Sequence, residues 1–172
     1  MNRDRSEMIR VDQAGEFGAT RIYAGQLAVM GDRGPHSAEI RAMAEQEKGH
    51  RAEFDALMAR RGVRPTLLQP FWNVAGYALG AGTALIGPEA AMACTAAIET
   101  EIDEHYSRQL DELEKDGDDP ELAAMIDRFR EDEREHRDAA FAHGAERAPA
   151  YPLLSAAIRL GCRAAIRLSE KI

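Results

Sequence analysis

Several residue types are scarce in this chain, and each scarcity excludes a class of protein. Cysteine occurs only 2 times among 172 residues, at positions 94 and 162 in apolar surroundings, so neither a disulfide framework nor a thiolate metal site is expected. Basic residues are outnumbered by acidic ones, and the net charge of -8 argues against a nucleic-acid partner, because phosphate binding needs a basic surface. Valine, isoleucine and threonine are sparse beside alanine, glutamate, arginine and leucine, which favours helices over strands. We therefore expect an all-α protein.

Glycine and proline divide the remainder of the chain into helices. The length suits a single domain, residues 1–172, because no linker rich in serine, glycine or proline separates two parts. Helical periodicity between the breaks predicts four long helices and an amphipathic terminal helix. Their expected bounds are 5–30, 37–61, 89–115, 120–143 and 153–172.

The two halves of the chain, residues 5–61 and 89–143, resemble each other. Each half has a glutamate followed by tyrosine, glutamine and leucine at identical offsets, and further along each has a glutamate, two residues, a histidine and an arginine. The first half supplies Glu16, Tyr23, Gln26, Leu27 and the sequence EKGHR from Glu47; the second supplies Glu99, Tyr106, Gln109, Leu110 and EREHR from Glu133. Each half therefore contributes one glutamate and one ExxH motif.

Four glutamates and two histidines occupy positions on the apolar stripes of the predicted helices, which are the faces that pack into a core. Four buried carboxylates without partners would each cost several kcal/mol, whereas two divalent cations would balance their charge. A glutamate from each of two helices with an ExxH motif from each of two others is the ligand set of dinuclear sites in helix bundles, and oxygen and nitrogen ligands favour iron or manganese. The expected ligands are Glu16, Glu47, His50, Glu99, Glu133 and His136.

Three aromatic residues near these positions have alternative interpretations. Tyr23 and Tyr106 follow Glu16 and Glu99 by about two helical turns, so they are expected to form hydrogen bonds near the site or to relay electrons, the alternative being packing in the core. His105 is a metal ligand, a hydrogen-bond donor behind the ligands, or a partly exposed core histidine.

Three glycines weaken the first predicted helix, since glycine inside a helix costs roughly 1 kcal/mol relative to alanine. Gly15 and Gly18 flank Glu16, and Gly25 follows two turns later. We expect Gly15 and Gly18 to leave room beside the metal site for a ring or for another backbone, the alternative being close packing of two helices.

Longer sequence motifs carry a more specific resemblance. The segments RVDQAGEFGATRIYAGQ, EQEKGH, ACTAAIETEIDEHY, FREDEREH and APAYPLLSAAIRLGCRAAIRLSE resemble the demethoxyubiquinone hydroxylase family of ubiquinone biosynthesis over nearly the whole chain. The resemblance implies a ferritin-like four-helix bundle with additional interfacial and terminal helices. It also implies two iron ions held by all six expected ligands, with Glu16, Glu47 and His50 at one iron, Glu99 and His136 at the other, and Glu47 and Glu133 bridging.

The activity implied by the resemblance is a di-iron monooxygenase reaction. The substrate would be a polyprenyl demethoxyubiquinol or quinone, whose ring is hydroxylated with O2 and two electrons. The electron donor would be NADH or a reductase. The protein would act either as a homo-oligomer or with a partner protein of ubiquinone biosynthesis.

A polyprenyl tail partitions into lipid, so the resemblance also implies contact with a membrane surface. Residues 65–88 contain no Asp, Glu, Lys or Arg, but their glycines and mild hydrophobicity make a poor spanning helix. If the second and third long helices run parallel, as in bundles with one long crossover, this segment lies along a flank of the bundle.

The terminal helix, residues 153–172, is the second candidate for membrane contact. Its stripe of Arg159, Arg163 and Arg167 would meet anionic headgroups, or else pack on the bundle. The expected location is peripheral, on the cytoplasmic face of a bacterial inner membrane or on the matrix side in a mitochondrion.

Two other functions use some of the same features. A ferritin-like ferroxidase or peroxide scavenger would have the same ligands but no need for the uncharged segment. A non-enzymatic protein that binds quinone or lipid at a membrane surface would need the apolar segment but not four inward carboxylates.

Overall fold

The computed structural model describes residues 3–172, with side chains from residue 5 onward. Within these residues the chain contains six α-helices, one short 3-10 helix and no strands, which confirms the all-α prediction. The elements are α1 (Arg3–Met30), α2 (Ser37–Arg61), α3 (Gln69–Ile86), α4 (Pro88–Asp116), α5 (Pro120–Ala142), the 3-10 turn Ala145–Arg147 and α6 (Tyr151–Lys171).

The helices begin and end where local sequence signals predict. Proline lies in the first turn of α3, α4, α5 and α6, where its missing N–H leaves no hydrogen bond unmade. Gly62 and Gly117 follow α2 and α4 in the left-handed conformation, with φ of 66° and 63°, and the Asp119 carboxylate accepts from the Leu122 N–H to cap α5. These signals explain why the bounds expected from sequence agree within two residues.

Contacts between helices define the topology of the bundle. Arg60 of α2 pairs with Glu121 of α5 at one end, and Glu39 approaches His143 at the other, so α2 and α5 are antiparallel. Short turns make α1 and α2, and likewise α4 and α5, antiparallel pairs. It follows that α2 and α4 run parallel, and that α3 is the long crossover between them, as expected.

Two apolar clusters fill the bundle on either side of its middle. One cluster includes Tyr23, Met43 and Met92, and the other includes Phe54, Leu57, Phe129 and Leu122. All of these side chains are buried. On each long helix the expected ligands lie between the residues of the two clusters, so the polar cluster occupies the middle of the core.

Helix α6 is fixed to α4 by a buried charge. The Glu101 carboxylate is 1% exposed and accepts hydrogen bonds from Arg159 and Arg163, while Trp72 of α3 donates to Ser169 at 3.0 Å. Two of the three arginines in the terminal stripe therefore pack on the bundle. For these two, the structure favours packing over the expected contact with anionic headgroups. The reason is that a buried carboxylate requires cationic or hydrogen-bonded partners.

Glycines allow α3 to approach α1 closely. A Cβ built on Gly25 would lie 2.2 Å from the Tyr77 carbonyl oxygen, and one on Gly80 would lie 1.9 Å from the Ile22 carbonyl oxygen. A Cβ on Gly15 or Gly18 would meet no heavy atom within 4 Å in the described chain. Close helix packing thus accounts for Gly25, whereas it does not explain Gly15 and Gly18.

We expect Gly80→Ala to destabilise the fold because the added methyl group forces α1 and α3 apart, at a cost of about 1 to 3 kcal/mol. Gly82 lies on the same helix with open space around its Cβ position, so Gly82→Ala should be neutral or stabilising by up to about 1 kcal/mol. Urea unfolding of the two variants measures the difference. Equal stability of the two variants would contradict this account of the helix contact.

Candidate metal centre

The structure brings all six expected ligands together in the middle of the bundle. The potential ligand atoms form two groups, and within each group all of the atoms lie within 4.8 Å of one another. The first group is Glu16, Glu47, His50 and Glu133; the second is Glu47, Glu99, Glu133 and His136. Glu47 and Glu133 belong to both groups, so their carboxylates lie where bridging ligands between two ions would lie.

Both histidines direct Nδ1 toward the carboxylates. His50 Nδ1 lies 3.2 Å from a Glu133 oxygen and 3.5 Å from a Glu16 oxygen. His136 Nδ1 lies 3.1 Å from the other Glu133 oxygen and 3.2 Å from Glu47. The ExxH spacing explains this, because residues i and i+3 lie on the same face of a helix.

The polar atoms of the cluster are not satisfied by the protein. The four glutamates are each 1 to 2% exposed, and one carboxylate oxygen of each, together with His50 Nδ1, has no hydrogen-bond partner in the described chain. Unpaired buried polar atoms are rare and costly. A pair of divalent cations with oxygen and nitrogen ligands fits this donor set, and iron or manganese suits it best.

The pKa values in the metal-free cluster reflect this excess of negative charge. Burial, reinforced by the charges of neighbouring glutamates, raises the pKa of Glu47 and Glu99 well above the ordinary range. Burial disfavours the charged form of His50, but the nearby carboxylates of Glu133 and Glu16 outweigh it and raise the pKa of His50 to about 11. When no metal is bound, protons on these groups therefore offset part of the carboxylate charge.

Two tyrosines form hydrogen bonds with the two glutamates that each belong to only one ligand group. Tyr23 of α1 donates its hydroxyl proton to Glu99 of α4 at 2.7 Å, and Tyr106 of α4 donates to Glu16 of α1. Both rings are buried. The repeated spacing between glutamate and tyrosine therefore forms a reciprocal pair, in which each half of the chain holds the carboxylate of the other.

His105 lies in a separate polar cluster. It is buried, its Nε2 lies 3.0 Å from an Asp12 oxygen, and Gln109 Nε2 donates to the same oxygen at 2.9 Å. Neither ligand group found among residues 3–172 includes His105. The sequence interpretation overlooked Asp12, although it lies one helical turn before Glu16 on the same face.

The sequence interpretation also missed the residues that hold the outer side of the two histidines. His50 Nε2 lies 2.9 Å from Asp132 Oδ2, and His136 Nε2 lies 3.0 Å from Gln46 Oε1. The available signal was positional, since Gln46 and Asp132 each directly precede the glutamate of an ExxH motif.

Comparison with known proteins identifies the family of this chain. Residues 3–169 match the family model described as Ubiquinone biosynthesis protein COQ7. The chain belongs to this family.

Curated relatives of the COQ7 family cover nearly the whole chain. A 3-demethoxyubiquinol 3-hydroxylase of Rhodospirillum rubrum is 58% identical over 95% of this chain and 76% of its own length. An NADPH-dependent 3-demethoxyubiquinone 3-hydroxylase, mitochondrial, of Rattus norvegicus is 54% identical over 96% of this chain and 76% of its own length. A mitochondrial 5-demethoxyubiquinone hydroxylase of Saccharomyces cerevisiae is 44% identical over 96% and 77%.

We expect the metal-free protein to lose stability as the pH rises from about 6 to about 8. The pKa values of Glu47, Glu99 and His50 are raised in the folded chain, so the folded chain binds more protons than the unfolded chain in this range. The free energy of unfolding therefore falls as the pH rises. The loss should be on the order of 1 kcal/mol or more. Thermal unfolding of chelator-treated protein measures it.

Glu47→Gln is the matched variant for this measurement, because it removes one buried charge and keeps the shape of the side chain. The variant should be more stable than the unaltered protein near pH 8 without metal, and its pH dependence should be flatter. An unchanged slope would show that Glu47 is not a source of the pH dependence.

Proposed function

We propose that this chain is a 3-demethoxyubiquinol 3-hydroxylase, an enzyme of ubiquinone biosynthesis that adds a hydroxyl group to the quinol ring. Membership of the COQ7 family and 58% identity to the Rhodospirillum rubrum hydroxylase support this function. The observation that carries it is the buried cluster of four glutamates and two histidines, arranged as two ligand groups that share Glu47 and Glu133.

The cofactor that suits this cluster is a pair of iron ions. Glu16 and His50 would serve one iron, Glu99 and His136 the other, and Glu47 and Glu133 would bridge them. Bound iron would supply activation of O2 and delivery of one oxygen atom to the ring, with two electrons from a donor. The part of the protein is to hold the carboxylates through Tyr23 and Tyr106 and to exclude water from the reacting atoms.

The proposed route to the cluster lies between α1 and α4. A crevice too narrow to admit a water molecule reaches Glu99 and Tyr23 and is lined by Ala19, Ile22, Thr95 and Ile98. Its outer residues belong to an apolar group that includes Leu79 of α3 and Ile158 of α6. We propose that the quinol ring reaches the metals between these helices, with small movements of side chains that widen the crevice.

The electron source is proposed to be a reduced nicotinamide nucleotide. The name of the Rattus norvegicus relative describes it as NADPH-dependent, and the sequence itself left the choice open between NADH and a reductase. Turnover of the purified chain, measured with NADPH and with NADH in turn, distinguishes these donors.

Ring hydroxylation is tested by mass spectrometry of a short-tailed demethoxyquinol after reaction with iron-loaded, reduced protein and isotopically labelled O2. We expect the product to gain one labelled oxygen atom. Glu133→Gln should lower turnover by at least about a hundredfold, because it replaces a bridging carboxylate while the side chain keeps its shape. Oxidation of iron without a hydroxylated product would instead support the ferroxidase function.

We also propose that α3 and α6 together form the surface that binds a lipid bilayer. Among residues 3–172, no helix is long and apolar enough to cross a membrane. Large apolar side chains are nevertheless exposed along both helices, and the hydrogen bond between Trp72 and Ser169 joins the start of α3 to the end of α6. The most exposed are Phe71, Val74, Leu85, Leu153 and Leu160, together with Leu67 just before α3, at 60 to 75% of their full area.

Two observations favour lipid as the occupant of this surface. The sequence of α3 contains no charged residue, whereas α6 carries Arg167 and Lys171 near its end, and basic residues beside an apolar face suit anionic headgroups. The substrate proposed above is itself a lipid. We propose a peripheral position at a membrane surface, on the cytoplasmic face of a bacterial membrane or on the matrix side in mitochondria.

A vesicle flotation assay tests the membrane surface. Phe71→Glu should reduce binding to anionic vesicles several-fold, because it places a charge in the apolar contact. Phe141 lies on α5, away from α3 and α6, and is also exposed, so Phe141→Glu is the matched control and should float like the unaltered protein. Equal flotation of the two variants would contradict the proposed orientation.

A further inference from the structure

The ligands of the two metal positions are balanced across the sequence repeat. Each position has one terminal glutamate, one histidine and a share of Glu47 and Glu133. The balance extends to the tyrosines, because Tyr106 donates to Glu16 and Tyr23 donates to Glu99. Ligand type and number therefore give no reason for the two positions to differ.

The two positions differ in the residue that contacts Nε2 of each histidine. Asp132 of α5 faces Nε2 of His50 on α2 at 2.9 Å, whereas Gln46 of α2 faces Nε2 of His136 on α5 at 3.0 Å. The two contacts are reciprocal across the helix pair, and each comes from the residue that precedes an ExxH motif. One partner is a carboxylate and the other is a neutral amide.

Both partners select the same histidine tautomer. A carboxylate oxygen and an amide oxygen are acceptors, so a neutral ring at either position carries its proton on Nε2 and offers the lone pair of Nδ1 to a metal ion. The difference lies in charge, since a hydrogen bond to an anionic acceptor draws the proton more strongly and makes the opposite nitrogen a better electron donor.

A second contact reinforces the difference. The Phe129 ring stacks on His50 with the centroids 4.0 Å apart and the planes 25° from parallel. Stacking on one face and a charged hydrogen bond at the edge both restrict rotation of the His50 ring. A ligand held in its binding orientation loses less conformational freedom when the metal binds.

We propose that Asp132 and Gln46 are positioning residues that make the two metal positions unequal, so that the position at His50 binds its ion more tightly and fills first. This inference rests on the dinuclear centre of the proposed function. Changes in the outer hydrogen-bond partner of a metal-binding histidine typically alter affinity about 10- to 100-fold, and a difference of this size is expected between the two positions.

The test is an anaerobic titration of metal-free protein with Fe²⁺, followed by calorimetry, and it requires no turnover. The unaltered protein should bind two ions with dissociation constants that differ at least about tenfold. In Asp132→Asn both histidines face amides, so the tighter site should weaken about 10- to 100-fold and the two constants should converge. In Gln46→Glu both histidines face carboxylates, so the weaker site should tighten and the constants should again converge.

A spectroscopic measurement identifies which position fills first. Protein given one equivalent of isotopically enriched Fe²⁺ should show one dominant Mössbauer doublet, because a tenfold difference in affinity places about three quarters of the iron at the position of His50. The same measurement on Asp132→Asn should show two doublets as the ion distributes between the positions. A purely structural role of Asp132 would weaken both positions together and would not redistribute the ion.

Matched controls come from the neighbouring residues. Glu131→Gln and Glu45→Gln each remove one exposed carboxylate beside the positioning residues, where Glu131 pairs with Arg134 and Glu45 pairs with Lys48. Both controls should retain the two constants of the unaltered protein. Circular dichroism establishes that every variant compared is folded.

The outcomes separate this inference from the proposed function. Binding of fewer than two ions by the unaltered protein would overturn the dinuclear centre and this inference with it. Binding of two ions with equal constants, or with constants that Asp132→Asn leaves within about twofold, would overturn the inference alone.

Discussion

The mutual repulsion of four buried carboxylates is the constraint on which the rest of this structure depends. Glu16, Glu47, Glu99 and Glu133 lie in the centre of a small helical bundle, where charge is costly unless it is compensated. Hydroxyl donors, imidazoles and, without metal, raised pKa values each offset part of that cost. Apolar clusters above and below the site supply the stability that allows it to persist. A pair of metal ions would bind the unpaired carboxylate oxygens and balance the negative charge of the cluster.

The sequence repeat acts through reciprocal contacts between the halves. Tyr23 and Tyr106 each hold the glutamate of the opposite half, and Gln46 and Asp132 each face a histidine across the α2–α5 contact. Because every such contact joins residues that are far apart in sequence, neither half contains a complete site. The site therefore forms only when the bundle closes, and a change that shifts one helix disturbs both metal positions.

The flank of the bundle differs in character, because large apolar side chains are exposed there. The backbone of α3 lies against α1 at Gly25 and Gly80, and Glu101 ties α6 to α4 through two arginines. These close contacts leave the outer sides of both helices apolar and exposed. The crevice to Glu99 begins beneath them, so the proposed membrane surface and the route to the metal centre are adjacent.

The sequence alone determined the bounds of the four long helices and the terminal helix, the repeat and the six residues that meet in the core, because periodicity and capping are local and the ligand residues interrupt otherwise apolar stripes. It also carried the family resemblance that the comparisons confirmed. Only the tertiary structure decided which groups pair. It turned Arg159 and Arg163 toward Glu101, set His105 against Asp12, and brought Gln46 and Asp132 to opposite histidines. These pairings depend on the register between helices, which the packing of the whole core sets and no local sequence pattern encodes.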